Sequence, residues 1–172
     1  VAAYMALGGS TNAAIHLTAI AGRAGMALSL DEMDAMAQKV PVIANLFPSG
    51  DKLMEDFFYA GGMPALLKEI APQLDLTALT VTGRSLGENI ADAVCLDDSV
   101  IRKVSQPVAD GAALAVLRGN LCPGGAVIKP SAANPKFAKH RGPALVFDSN
   151  AEMLAHIHAP DLDIDENTVL IL

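Results

Sequence analysis

One stretch constrains this chain more than any other: Leu7-Gly8-Gly9-Ser10-Thr11-Asn12-Ala13-Ala14-Ile15-His16-Leu17. Ser, Thr and Asn are preferred helix N-caps, because a side-chain oxygen accepts a free backbone N–H of the first turn. The two glycines just before them allow a sharp bend and a close approach of backbone to a ligand. The apolar residues that follow, Ile15, Leu17 and Ile20 with alanines between, carry helical spacing. The stretch therefore predicts a turn and a helix from Ser10 to Arg23, stopped at Gly25. A helix start of this kind offers unpaired N–H groups and the positive end of the helix dipole, which suits a phosphate or a carboxylate. An ordinary capped helix fits the same residues.

Similar signals punctuate the rest of the chain. Ser29-Leu-Asp-Glu32 and Ser85-Leu-Gly-Glu88 are capping boxes, opening helices to Lys39 and to Cys95. In the first of these, Leu30, Met33, Met36 and Ala37 mark the buried face. Asp51 is placed to cap a helix through Tyr59, and Pro64 suits the first turn of another that runs to Ala71. Thr80-Val-Thr82 reads as a short strand or an extended link. After Asp97 the pattern changes to short aliphatic runs, at 101–104, 113–117, 126–128 and 144–147, separated by Gly, Pro and Asn. Ser149 opens one more helix to His158, and the closing Val-Leu-Ile-Leu reads as a buried strand. The expectation is an α+β chain with a boundary near residues 97–105. Residues 1–100 form the helix-rich end of an α/β domain, and 101–172 begin a β-barrel-like domain.

Composition narrows the class of function. With 52% hydrophobic residues and no Trp, the core is built from Ala, Leu, Val, Ile and Met. The formal charge of -7 argues against a nucleic-acid partner. No apolar run approaches membrane-spanning length and no leader pattern is present, so a cytoplasmic protein without a membrane partner is expected. Cys95 and Cys122 are too few for a disulfide framework. Neither end reads as a natural terminus, which leads to the expectation of an internal fragment.

The wording of several blocks resembles the dihydroxy-acid and 6-phosphogluconate dehydratase family. These are MALGGSTNAAIHLTAIAGRAG, VPVIANLFPSG, MEDFFYAGGMPALLKE, LTVTGRSLGENIADA, LRGNLCPGGAVIKP and GPALVFDS, in this order and spacing. The segments SAANPKFAKHRGPALVFD and PDLDIDENTVLIL look more like the sugar-acid branch, nearest the L-arabinonate dehydratases. The resemblance implies a hydro-lyase that converts a 2,3-dihydroxy acid to a 2-keto-3-deoxy acid. It also implies an iron–sulfur cluster, Mg²⁺ and a homodimer or homotetramer. A metal stabilises the departing hydroxide, and a second cation stabilises the enolate formed at C2. The cluster cysteines, the metal-binding glutamate and the base serine of the family lie in motifs outside these 172 residues. No catalytic or metal-ligating residue is therefore assigned here, and the isolated chain is expected to be inactive. The branched-chain dihydroxy-acid enzyme, the 6-phosphogluconate enzyme and a non-catalytic binding or assembly module are the alternatives.

What remains is a supporting role at a shared site. Ser10, Thr11 and Asn12 are the candidates for contact with an anionic sugar acid, with Gly9 beside them. His16 lies one turn beyond Asn12 on the same face, as a further contact or a packing residue. Asn120 and Lys129 bracket a hairpin, and Lys129 is either a carboxylate ligand or a solvated strand-end cation. Lys136, Lys139, His140 and Arg141 form a basic loop, suited to a sugar-acid chain, a neighbouring subunit or solvent alone. The acidic run 161–166 lacks the spacing of a calcium loop, and Cys95 and Cys122 sit in no cysteine-rich motif. Gly8-Gly9 without a Walker or dinucleotide pattern is a weak phosphate signal.

Overall fold

A computed structural model describes residues 1–109 and 112–172. They form two compact units, Val1–Ala132 and Ala133–Leu172. The division falls well beyond the change of sequence pattern near residue 100, because the first aliphatic runs pack onto the helical material.

In the first unit, α1 (Ala2–Ala6) precedes the glycine turn and α2 (Thr11–Arg23) follows it. Ser10 is the α2 N-cap, as its residue type requires, with its side chain accepting the Asn12 N–H. The helix closes at Ala24 ahead of Gly25, whose φ of 74° is natural for glycine. Both capping boxes form with reciprocal bonds, Ser29 with Glu32 at α3 (Leu30–Ala37) and Ser85 with Glu88 at α6 (Leu86–Ile90). Between them lie α4 (Met54–Tyr59) and α5 (Gly62–Glu69). The α4 cap corrects the expectation at Asp51. Leu53 is the N-cap, its N–H held by Asp56 at 2.7 Å, while Asp51 accepts from Asn45 instead. Helix α6 also ends at Ile90, five residues short of Cys95, and Thr80–Thr82 lies in a turn closed by the Thr80 N–H on the Arg84 carbonyl.

An extended segment, residues 42–46, runs through the centre of this unit. Its bridges join Val42 to Ala109 and Ala44 to Ile101, and the Ala6 carbonyl accepts from both Ile43 and Ala44. The run 101–104 is thus a single bridge and not a strand. Strands β1 (Ala115–Leu117) and β2 (Ala126–Ile128) form an antiparallel hairpin, with Ala115 opposite Ile128. The core gathers Met5, Met33, Val40, Ile43, Leu66, Ile70, Ile101 and Leu114, all fully buried. The hairpin is latched to α3: Asp34 accepts the Val116 N–H at 3.1 Å, and Arg118 pairs with Asp31.

The second unit holds β3 (Ala144–Val146) parallel to β4 (Val169–Ile171), with α7 (Asn150–His156) between them in sequence. Ser149 caps α7 by accepting the Glu152 N–H at 3.1 Å. Phe147 is its buried anchor. Strand β4 is present where the closing apolar run placed it, but it is not buried: Leu170 is 50% exposed. The chain is α+β. Its described strands form two separate two-stranded sheets, so no barrel is closed among the described residues. Three-residue strands in pairs supply neither the number nor the stagger that closure demands.

Candidate functional site

The glycine turn is held from three directions. Gly9 donates its N–H to the Tyr4 carbonyl at 3.1 Å, and the Tyr4 hydroxyl donates to the Ser10 carbonyl at 3.0 Å. Lys129, at the end of β2, donates from Nζ to the Gly8 carbonyl. Gly8 has φ of 62°, the left-handed region, and a Cβ there would press on Val42. Gly9 is required for a different reason: its Cβ would lie 2.1 Å from the Tyr4 ring. Burial raises the Tyr4 pKa, which keeps the phenol neutral and able to donate.

Beyond this turn α2 begins. Ser10 and Asn12 are exposed and Thr11 is half-buried. The Ser10 hydroxyl accepts the Asn12 N–H at 3.3 Å, and the Ser10 carbonyl accepts from Ala13 at 2.9 Å. His16 is exposed one turn farther along. A cleft of about 250 Å³ opens beside Gly8, lined by Val42, Ser49, Ala112, Pro130 and Ser131 among others. The Ser49 and Ser131 hydroxyls are hydrogen-bonded across it at 3.2 Å. Ser10, Thr11 and Asn12 do not line that cleft.

The structure thus brings Gly8, Gly9, Ser10 and Lys129 together and leaves Asn12 and His16 exposed, with Thr11 half-buried. Asn120 lies exposed in the hairpin turn. Two residues around the turn carried no local signal. Tyr4 reaches a carbonyl six residues ahead, and Ser131 meets Ser49 from a sequence separation of 82. Neither separation is a period of helix or strand.

The remaining charged candidates are occupied within their own unit or solvated. In the second unit Lys136 lies 3.7 Å from Glu166 and over the Phe137 ring, while a His140 ring nitrogen bonds the Asn167 carbonyl at 2.7 Å. Lys139 and Arg141 are exposed. In the acidic run, Asp165 accepts from Asn167 and Thr168, which holds its carboxyl below the usual carboxylate range.

An iron–sulfur cluster requires several convergent thiolates, and Mg²⁺ requires convergent oxygens. The described residues do not fit either group. No three His, Cys, Asp or Glu side chains converge among them. The Cys95 thiol donates to the Asp97 and Ile101 carbonyls, and Cys122 lies exposed in the hairpin turn. No described helix is long and apolar enough to cross a membrane.

Comparison with known proteins now bears on this arrangement. Residues 1–89 match the family model described as dihydroxy-acid/6-phosphogluconate dehydratase N-terminal, and residues 99–172 match its C-terminal counterpart. A 6-deoxy-6-sulfo-D-gluconate dehydratase of Pseudomonas putida is 55% identical over 100% of this chain and 30% of its own length. An L-arabinonate dehydratase of Rhizobium leguminosarum is 48% identical over 97% of the chain and 29% of its own. A dihydroxy-acid dehydratase of Caldicellulosiruptor bescii is 45% identical over 91% of the chain and 29% of its own. The chain therefore spans about 30% of the length of the curated relatives it matches. With both family models matched in order along the chain, the protein belongs to the dihydroxy-acid/6-phosphogluconate dehydratase family.

Proposed function

We propose that the polypeptide containing this chain is a cytoplasmic, homo-oligomeric hydro-lyase. It removes the C2 proton and the C3 hydroxide of an anionic sugar acid, and the resulting enol becomes a 2-keto-3-deoxy acid. The observation that supports a sugar acid over a branched-chain acid is the greater identity, over more of the chain, to the sulfogluconate and arabinonate dehydratases. An iron–sulfur cluster and Mg²⁺ belong to this proposal for the complete polypeptide. No step through them is assigned to residues of this chain, since no donor set converges among the described residues.

The part we assign to this chain is binding. Ser10, Thr11 and Asn12 stand at the positive end of a 13-residue helix, where an anion is favoured by the dipole and by first-turn N–H groups. A cation, Lys129, sits three residues before that end, at Gly8. In a chain of net charge -7, this helix end gives an acidic substrate a local site of attraction.

The test is a parallel assay of the complete polypeptide on 6-deoxy-6-sulfo-D-gluconate, L-arabinonate, D-xylonate and 2,3-dihydroxyisovalerate, following the 2-keto acid. Higher kcat/KM on an aldonate is expected. Preference for dihydroxyisovalerate overturns the substrate class, and no turnover of any acid overturns the enzyme reading. For the site, Thr11→Val and Asn12→Ala are each expected to raise KM several-fold, roughly the cost of a hydrogen bond to a charged group. Unchanged KM for both sinks the assignment.

A further inference from the structure

We infer that Lys129 is a positioning residue, which fixes the Gly8–Ser10 turn and through it the first turn of α2, instead of binding substrate itself. The functional half of this inference rests on the reading of α2 given above; the tether stands on its own geometry. Lys129 lies immediately after β2, and its Nζ donates to the Gly8 carbonyl across a sequence separation of 121. It is half-buried, so the ammonium is committed to that carbonyl more firmly than a solvated lysine would be.

The hairpin that carries Lys129 is itself fixed. Asp34 holds the Val116 N–H, and Arg118 joins Asp31 of α3 to the Gly124 carbonyl. The Ser49–Ser131 contact, two residues beyond Lys129, adds a second link to the segment that carries it. A rigid arm thus reaches from residues matched by the C-terminal family model to a turn matched by the N-terminal one. Among the described residues that turn is otherwise restrained by the Tyr4 contacts and by the Gly8 N–H, which donates to the Met5 carbonyl at 3.0 Å. A carbonyl held by a cation cannot rotate freely, and the peptide plane of Gly8-Gly9 sets the direction in which Ser10 enters the helix.

The experiment uses the complete polypeptide with L-arabinonate as probe and compares Lys129→Met, Lys129→Gln and Lys129→Arg. Native-state hydrogen exchange of the Gly9–Ala14 amides is read beside KM and kcat. Lys129→Met is expected to speed exchange there roughly tenfold, with α3 and α5 unchanged. Its KM is expected to rise by about the same factor, with a smaller change in kcat. Lys129→Gln keeps an N–H donor without charge and is expected to restore part of both; Lys129→Arg restores more. In an Asn12→Ala background, Lys129→Met is expected to add less to KM than it does alone.

Unchanged exchange in Lys129→Met overturns the tether. Effects on KM that add fully to those of Asn12→Ala, with no recovery in Lys129→Gln, overturn positioning in favour of direct charge contact. Faster exchange with KM unmoved in both Lys129→Met and Asn12→Ala overturns the substrate role of α2 while leaving the tether in place. Global unfolding of Lys129→Met is recognised by loss of protection in α3 and α5, and the Arg and Gln variants then decide.

Discussion

Gly9→Ala isolates the feature on which the glycine turn depends. The added Cβ would stand 2.1 Å from Tyr4 Cδ2 and 2.3 Å from Cε2. Carbon atoms pack at about 3.5–4.0 Å, so the ring must retreat by roughly 1.5 Å. Tyr4 is only 8% exposed, and its neighbours Met5 and Ala6 are fully buried, so that retreat strains the core. Overpacking of this kind costs about 1–3 kcal/mol. The moving ring also draws its hydroxyl away from the Ser10 carbonyl, worth about 1 kcal/mol. The expected loss is about 2–4 kcal/mol, read from urea unfolding of the 172-residue chain by circular dichroism. Two controls separate the contributions. Tyr4→Phe removes the hydroxyl alone and is expected to cost about 1 kcal/mol. In a Tyr4→Leu background the clash is relieved, so Gly9→Ala is expected to cost at least about 1 kcal/mol less than in the wild-type chain. A Gly9→Ala variant within about 0.5 kcal/mol of wild type would refute the reasoning, since that is the range of an ordinary surface substitution.

Other substitutions have expected signs fixed by the same geometry. Gly61→Ala is expected to destabilise by more than about 1 kcal/mol, because φ is 115° and a Cβ would lie 2.4 Å from the Val94 carbonyl oxygen. Gly22→Ala, inside α2 with open space around it, is expected to stabilise by about 0.5–1 kcal/mol; equal effects of the two in urea would contradict both. Ser29→Ala and Ser85→Ala each remove a helix cap and are expected to cost about 1 kcal/mol, checked as a lower urea midpoint. Hydrogen bonds from the Ser29 backbone and hydroxyl lower the Glu32 pKa, and those from Ser85 lower that of Glu88. A carboxyl whose folded pKa lies below its unfolded value of about 4.3 adds stability above that value and loses it as pH falls through the folded pKa. Tm is therefore expected to drop below about pH 5, and the Glu32→Gln, Glu88→Gln double variant to show a shallower drop; an identical acid slope would dismiss the role of these two carboxyls.

Much of the local structure was legible because its causes lie within four residues. Ser29 and Glu32, Ser85 and Glu88, and Ser149 with Glu152 each form a cap from a side chain and a backbone group three positions apart. The start of α2 at Ser10 followed from the same chemistry. Asp51 does not cap α4, because two carboxylates stand near one helix start. Asp56 reaches the free Leu53 N–H, while Asp51 is drawn to the amide of Asn45. Period alone likewise assigned a strand to 101–104, where a bridge at Ala44 leaves Ile101 a single partner.

The sequence by itself determined where the serine-capped helices begin, which glycines bend the chain and which family the chain resembles. Those properties follow from short-range sterics, from side-chain oxygens beside free N–H groups, and from the order of motifs along the chain. Only the tertiary structure decided that the hairpin latches to α3 through Asp34 and Val116, 82 positions apart, and that Lys129 holds Gly8. It also decided that α2, apolar along much of its length, buries just Ala14 within this chain. Such contacts depend on which surfaces meet after the chain closes long loops, and no periodicity of residues records that closure.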